Sequence, residues 1–361
     1  MAKSNLFRTI FALLLLACIA GCDVLPFWKT EDPETDLVEA RSKKLVIASW
    51  GGALEDAMKI VYAPPFYKET GIEVEFIDLA QTEDTFESVA ASDDVKWDIY
   101  VIPDRSIPGA VREGQLEPLD WGFIGKDNIY PEAVHAYAAG AYSYVTAMTY
   151  NADIFGENHP KDWVDFWDVE TFPGARSLRK KPVDNLEWAL LVDGVPADQL
   201  YPLDLDRAFR SLDRIKPYIS VWWTGGAQSV QIMVDGETVL GSAWHGRVAP
   251  RQAEGAPLEW NWEQSVMHLD FWAVIRGAPN KKGAMRFIKF ALDPQRQADF
   301  AREIPYSPTN REAYNYIDEA LAATLPSHPQ IREQTISIDL GWWGENLDAA
   351  TNRFNDWVEG D

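Results

Sequence analysis

Cysteine is nearly absent. The 361 residues hold two, Cys18 and Cys22, so residues 23–361 carry no thiol. Disulfides, cysteine metal sites and a cysteine nucleophile are excluded from that stretch. Histidine is also scarce, with five residues and no metal-ligand spacing among them. Basic residues are the minority, 33 against 56 acidic, for a formal net charge of -23. That balance argues against nucleic acid as a partner and favours cationic solutes in the long-range field, although it also serves plain solubility. There is no G-x-S-x-G elbow, no Walker loop and no G-x-G-x-x-G turn. The apolar run at residues 10–20 is too short for an ordinary membrane-spanning helix.

That run has a different reading. Lys3 and Arg8 precede it and Ile19-Ala20-Gly21-Cys22 closes it, the layout of a signal peptide over residues 1–22. The closing tetrapeptide resembles the lipobox of bacterial lipoproteins. It implies cleavage before Cys22 and lipidation of its thiol; an ordinary secretory leader cut near Ala20 is the alternative. Asp23 resembles the signal that retains Gram-negative lipoproteins in the inner membrane. Residues 23–43 are polar, contain Pro33 and lack any period, so they read as a flexible tether.

Tryptophan is the residue in excess, with 16 copies. Trp222-Trp223-Thr224-Gly225-Gly226 and Trp244-His245-Gly246-Arg247 place paired aromatics beside glycine turns at two strand ends. In an open α/β sheet such ends face the ligand crevice, so the tryptophans are expected to wall a pocket, although any one of them alone would more often be core. Strands at 44–49, 73–77 and 97–102 alternate with helices, which predicts a parallel, doubly wound sheet. A strand at 141–150 leads out of this unit and one at 270–275 leads back. The expected division is a first lobe over 44–148, a second lobe over 149–272, and a return of 273–361 to the first. The chain is long enough to bury two cores.

Several polar groups could carry function. Asp184 and Glu187 stand three apart at a helix start and share one face; the same spacing is a capping box. Asp270 lies in the apolar strand Leu269-Asp270-Phe271-Trp272, where a lone acid is costly unless paired. His268 points to the same side. Arg176, Arg179, Lys180 and Lys181 form a basic cluster that reads as a solvated turn surface. Gly51-Gly52 and Gly225-Gly226 could present backbone N–H groups to an anion.

A resemblance runs from about Lys44 to the end. It rests on Ser49-Trp50-Gly51-Gly52, on KETGIEV at residues 68–74, on Trp97-Asp98-Ile99 and on WVDFWDVETFP at residues 163–173. AWHGR at 243–247, GAPNK at 277–281 and IPYSPTN at 304–310 complete the set. Together these resemble the spermidine- and putrescine-type solute receptors of ABC importers. The resemblance implies an α/β, two-lobe type II periplasmic-binding-protein clamshell hinged at two chain crossings. It implies a monomer without enzyme activity, cofactor or metal that hands its ligand to permease subunits. Trp50, Trp244 and Tyr306 match aromatic pocket positions, Asp184 with Glu187 and Asp270 match amine-binding acids, and Asp104 adds negative charge. Three positions depart from the pattern. His268 replaces an aromatic wall, His245 stands where Asn is usual, and Ala53 stands where an aromatic can occur. Both histidines are expected to gain charge below about pH 6.5. The ligand expected is a polyamine; the alternatives are a small organic anion or amino-acid-like solute, and, further off, a lipid-anchored hydrolase using Asp184, Glu187 and His245.

Overall fold

The computed structural model describes residues 43–360. The leader, Cys22 and residues 23–42 of the expected tether lie outside the described residues.

Among the described residues, ten strands form one sheet. They are β1 (Lys44–Ser49), β2 (Glu73–Asp78), β3 (Ile99–Pro103), β4 (Ala138–Asn151) and β5 (Arg176–Arg179), followed by β6 (Ile219–Trp223), β7 (Leu240–Trp244), β8 (Leu258–Trp260), β9 (Val266–Val274) and β10 (Ile336–Ser337). Nine helices of eight residues or more accompany them among the described residues. These are α1 (Gly52–Val61), α2 (Ala63–Thr70), α3 (Asn185–Val192), α4 (Leu205–Ile215), α5 (Gly226–Val234), α6 (His245–Ala253), α7 (Lys281–Ala291), α8 (Pro294–Glu303) and α9 (Leu340–Glu359).

The spatial order is β2-β1-β3-β9-β4-β7-β5-β6, with β8 on β4 and β10 on β9. Each wing is parallel, as the strand–helix alternation predicts: β2 and β3 flank β1, and β6 and β7 flank β5. The interior strands are apolar runs because both faces are covered. Leu45, Ile47, Val101 and Ile102 are fully buried. The middle differs from a purely parallel sheet. β4 and β9, the two strands that carry the chain out and back, lie side by side and antiparallel, and each is antiparallel to its outer neighbour, β7 or β3.

Two expectations are corrected. The basic cluster is a solvated turn only in part: Lys181 is exposed and Lys180 half-buried at a bend, but the two arginines are not. Arg176 and Arg179 are buried on β5. Arg176 is used up in building the second wing: Nε donates to the Phe166 carbonyl at 3.0 Å and Nη1 to that of Gly174 at 2.6 Å, and Nη2 caps Phe172. A guanidinium can be buried this way because its five donors match convergent carbonyls. Second, the return segment meets both wings. Phe287, Ile288 and Phe300 of α7 and α8 join the core around β1 and β3; Trp343, Ala350 and Phe354 of α9 pack with Leu186, Ala208 and Leu212 of the second wing, while the same helix also lies against Asp104–Ser106 and Ile107–Arg112 of the first. Trp222 faces this helix as well, edge-on to Phe354 and Trp357 at 5.7 Å. It is packing for α9 and not part of a pocket wall.

Candidate ligand-binding site

The candidate site is centred on the β4–β9 pair. A bulge between Gly140 and Tyr142 shifts the register so that Tyr142 lies opposite Asp270 and Tyr144 opposite His268. Directly opposed residues of an antiparallel pair share a face, so two tyrosines, a histidine and an acid converge. The Tyr142 hydroxyl donates to Asp270 Oδ2 at 3.0 Å. Tyr306 stacks on Tyr142, with centroids 5.1 Å apart, and lies 5.4 Å from Tyr144.

The walls come from strand ends. Asp104 and Arg105 follow β3, and both are buried. The Asp104 carboxylate accepts from the backbone N–H of Arg105 at 2.7 Å and of Leu269 at 3.3 Å, so it ties the first wing to β9. Arg105 Nη1 lies 3.8 Å from Asp104 without hydrogen bonding to it, and has no other partner. From the second wing, Arg179 ends β5, with its guanidinium 5.0 Å from the Trp244 ring and 5.6 Å from Trp223. Its Nε and Nη1 are buried and unpaired.

Asp184 stands at the N-cap of α3 but makes no capping bond. Its backbone has φ 77°, a conformation that costs a non-glycine residue roughly 1–2 kcal/mol. That twist turns the carboxylate to within 2.8 Å of His268 Nε2, off the line of a good hydrogen bond, and both oxygens lack a hydrogen-bonding partner. The predicted capping box is therefore absent. Glu187 faces away from Asp184's partner. It accepts from Tyr201 Oη at 2.6 Å and from Trp343 Nε1 at 2.8 Å, which fastens α9 to α3.

Burial sets the acidities. It pushes Asp270 up to about 6, and Asp104 adds to the shift against the pull of Arg105. Burial also raises Asp104, partly offset by Arg105. Burial opposes ionisation of Asp184 too, but His268, Arg179 and Arg105 outweigh it and hold that carboxyl below the usual range. Glu187 is raised to about 7 by burial. His245 does not behave as expected from the sequence. Burial lowers it to about 4, against the opposing pull of its backbone partners at Pro305 and Val145; its Nδ1 accepts from the Val145 N–H at 3.3 Å and its Nε2 donates to the Pro305 carbonyl at 2.7 Å. It is a neutral strut between β4 and the Tyr306 segment, and it gains no charge near pH 6.5.

Of the residues expected in the site, Asp104, Asp184, His268, Asp270, Trp244 and Tyr306 are thus linked by these contacts and by mutual electrostatic influence. Trp50 stands at the end of β1, half-buried, with its ring 6.3 Å from Tyr100. Glu187 and His245 have structural partners instead. The sequence reading did not single out Arg179 and Arg247 for this cluster, nor Tyr142 and Tyr144. The tyrosines were available as an alternating pair in a strand; the arginines were obscured because a surface turn and a strand end look alike in composition.

The chain matches the model of a bacterial extracellular solute-binding protein over residues 62–331. It belongs to that family. A gamma-aminobutyric acid-binding protein of Pseudomonas aeruginosa is 33% identical over 326 residues, covering 89% of this chain and 92% of the relative. The solved structure of an ABC transporter substrate-binding protein from Bradyrhizobium japonicum superposes with a TM-score of 0.82 at 34% identity, over 88% of this chain and 99% of that one. The spermidine/putrescine-binding periplasmic protein of Escherichia coli is further away, 22% identical over 313 residues, or 82% of this chain and 88% of the relative. The type II periplasmic-binding-protein fold and the role of a non-enzymatic solute receptor for an ABC transporter follow. The polyamine ligand does not follow, since the more similar curated relative is named for an amino acid.

Proposed function

We propose that this solute-binding protein takes a small zwitterion of the amino-acid type, with an amine and a carboxylate in one molecule. One observation carries the reading: the site buries unsatisfied charge of both signs. Arg105 Nη1, Arg179 Nε and Nη1, Asp184 Oδ2 and Asp270 Oδ1 are all enclosed without hydrogen-bond partners. An unpaired buried charge is costly. A polyamine would satisfy the acids and leave the guanidiniums bare; a simple anion would do the reverse. A zwitterion answers both. The 33% identical relative named for gamma-aminobutyric acid supports the same class. Calorimetric titration with 4-aminobutyrate, putrescine and butyrate tests it. The expected order places 4-aminobutyrate tightest, and a preference for putrescine overturns the reading.

Delivery to permease subunits and attachment through a lipidated Cys22, with Asp23 directing the protein to the inner membrane, complete the proposal. Two or more acyl signals give stable anchoring. Cys22→Ser is expected to move the protein from the membrane to the soluble fraction, and a wild type already soluble and unacylated rules the anchor out.

A further inference from the structure

The last helix is bonded to one wing and only packed against the other. On the second wing α9 is fastened along its length. Trp343 is fully buried, with its indole N–H on Glu187. Arg353 Nη2 donates to Asp206 at 2.7 Å, Trp357 Nε1 to Asp213 at 2.8 Å, and Lys216 Nζ to the Trp357 carbonyl at 2.6 Å. Phe354 and Trp357 lie against Phe209 and Trp222.

The first wing meets an adjoining face of the same helix. Gly344, Leu347 and Asp348 line a gap of about 140 Å³ with Arg105, Ser106 and Gly109. Beside it a Cβ on Gly344 would lie 3.1 Å from both Cβ and Cγ of Pro108, so it is glycine that lets helix and proline come this close. Among the described residues no hydrogen bond or ion pair joins α9 to Asp104–Arg112. This dry contact borders the candidate site, because Asp104 and Arg105 belong to the turn on which α9 lies. The site is shut. Arg247 of α6 donates through Nη2 to the Trp50 carbonyl at 3.2 Å, from one wing to the other. Asp104, Arg105, Arg179 and Asp184 are all buried. When two lobes part about a hinge each moves as a body, so the bonded side of α9 stays with the second wing and the dry side is the one that separates.

We propose that the Gly344 face of α9 is a latch. Carried by the second wing, it docks on Pro108 of the first as the lobes shut and covers Asp104–Ser106. It thereby sets solute affinity without touching the solute. The latch serves any solute that shuts the lobes and does not depend on the zwitterion reading.

Residues 23–361 carry no thiol, so a cysteine pair tests the contact directly. The 3.1 Å between Pro108 Cβ and a Cβ at position 344 is within a few tenths of an ångström of the ~3.5–4.5 Å that a disulfide spans. In the ligand-free double variant Pro108→Cys/Gly344→Cys, oxidation is expected to join the two positions, and the oxidised form should be more compact in X-ray scattering than the reduced one. Saturating 4-aminobutyrate should bring the reduced form to the same dimension and leave the oxidised form unchanged. Identical ligand-free profiles mean that α9 rests on Pro108 in every state and overturn the latch, as does the absence of a bond. If oxidation contracts the protein and 4-aminobutyrate does not, the latch stands and the zwitterion reading falls. A second variant fills the contact. Gly344→Leu should weaken whichever of 4-aminobutyrate and putrescine the wild type binds by about tenfold to a hundredfold, with the denaturation midpoint of the ligand-free protein unchanged. Pro108→Gly in the same chain should restore most of that loss. Unchanged affinity, a loss that Pro108→Gly does not relieve, or a matching loss of ligand-free stability overturns the proposal.

Discussion

Asp184 shows how a local cost is spent on a site. A non-glycine residue at φ 77° is held there only by its surroundings, and what it gains is an aim toward His268 in place of a helix cap. Asp270, on β9, sets the pH response. Its carboxyl is raised to about 6, whereas Asp184 is held below the usual range. As pH falls through 6, Asp270 takes up a proton and loses its attraction for an ammonium. Affinity for 4-aminobutyrate is expected to drop between pH 7 and 5, by up to about tenfold per unit below 6, and Asp270→Asn should flatten that dependence in titrations across the range. Glu187 gives a stability response of its own. Its folded-state value of about 7 lies above the ordinary glutamate value of 4.5, so the native state binds a proton that the unfolded chain has already lost. Stability contributed at low pH therefore declines as pH rises from about 4.5 to 7. Glu187→Gln, which still accepts from Tyr201 and Trp343, should remove that decline and raise stability at pH 8 by on the order of 1–3 kcal/mol. Chemical denaturation at pH 5 and pH 8 measures the difference; an unchanged pH slope refutes the assignment.

Among elements, those with a strong period were readable from the sequence and those defined by partners were not. β1 and β2 fall within a residue or so of expectation, and Trp223 and Trp244 end β6 and β7 as the glycine turns beside them predict. β5 was not readable. A strand reading RSLR has a solvated pattern until Phe166, Gly174 and Phe172 bring carbonyls around Arg176, and those contacts are long-range packing. The same blindness hid Arg179 and Arg247. Asp104, Asp270, Trp244 and Tyr306 could be named because the family resemblance marked their positions, while His245 and Glu187 were marked too and turned out to have partners that only the fold supplies. α9 provides the test at this scale. Trp343 is fully buried and donates to Glu187 at 2.8 Å. Trp343→Ala should cost about 3–5 kcal/mol through the cavity, with a further loss from the weakened hold on Glu187. The measured shift in denaturation midpoint should exceed that of Trp357→Ala on the partly exposed last turn; equal shifts would mean α9 is not fixed through Trp343.

For the whole molecule, the sheet has no gap between its wings. β3 pairs with β9, β9 with β4 and β4 with β7, so backbone hydrogen bonds run across the middle without interruption. Hinge closure in two-lobed receptors absorbs its change in a few positions. Here the positions available are in two strands that stay paired with each other. Saturating 4-aminobutyrate is expected to contract the particle in X-ray scattering at constant mass, and an unchanged profile would argue against a hinge at this pair. The unbroken ladder has a further consequence for exchange with solvent deuterium. If opening only alters the twist between β4 and β9, no ladder amide is released when the lobes part, and the amides of Tyr142 to Met148 should stay protected in the free and the liganded protein alike. Ligand-dependent protection should concentrate instead at the first turns of α1 and α5, whose N–H groups have no side-chain cap. The strands would then act as a torsion spring that keeps its bonds through every cycle, and the energy that separates open from closed would reside almost wholly in the side chains at the mouth.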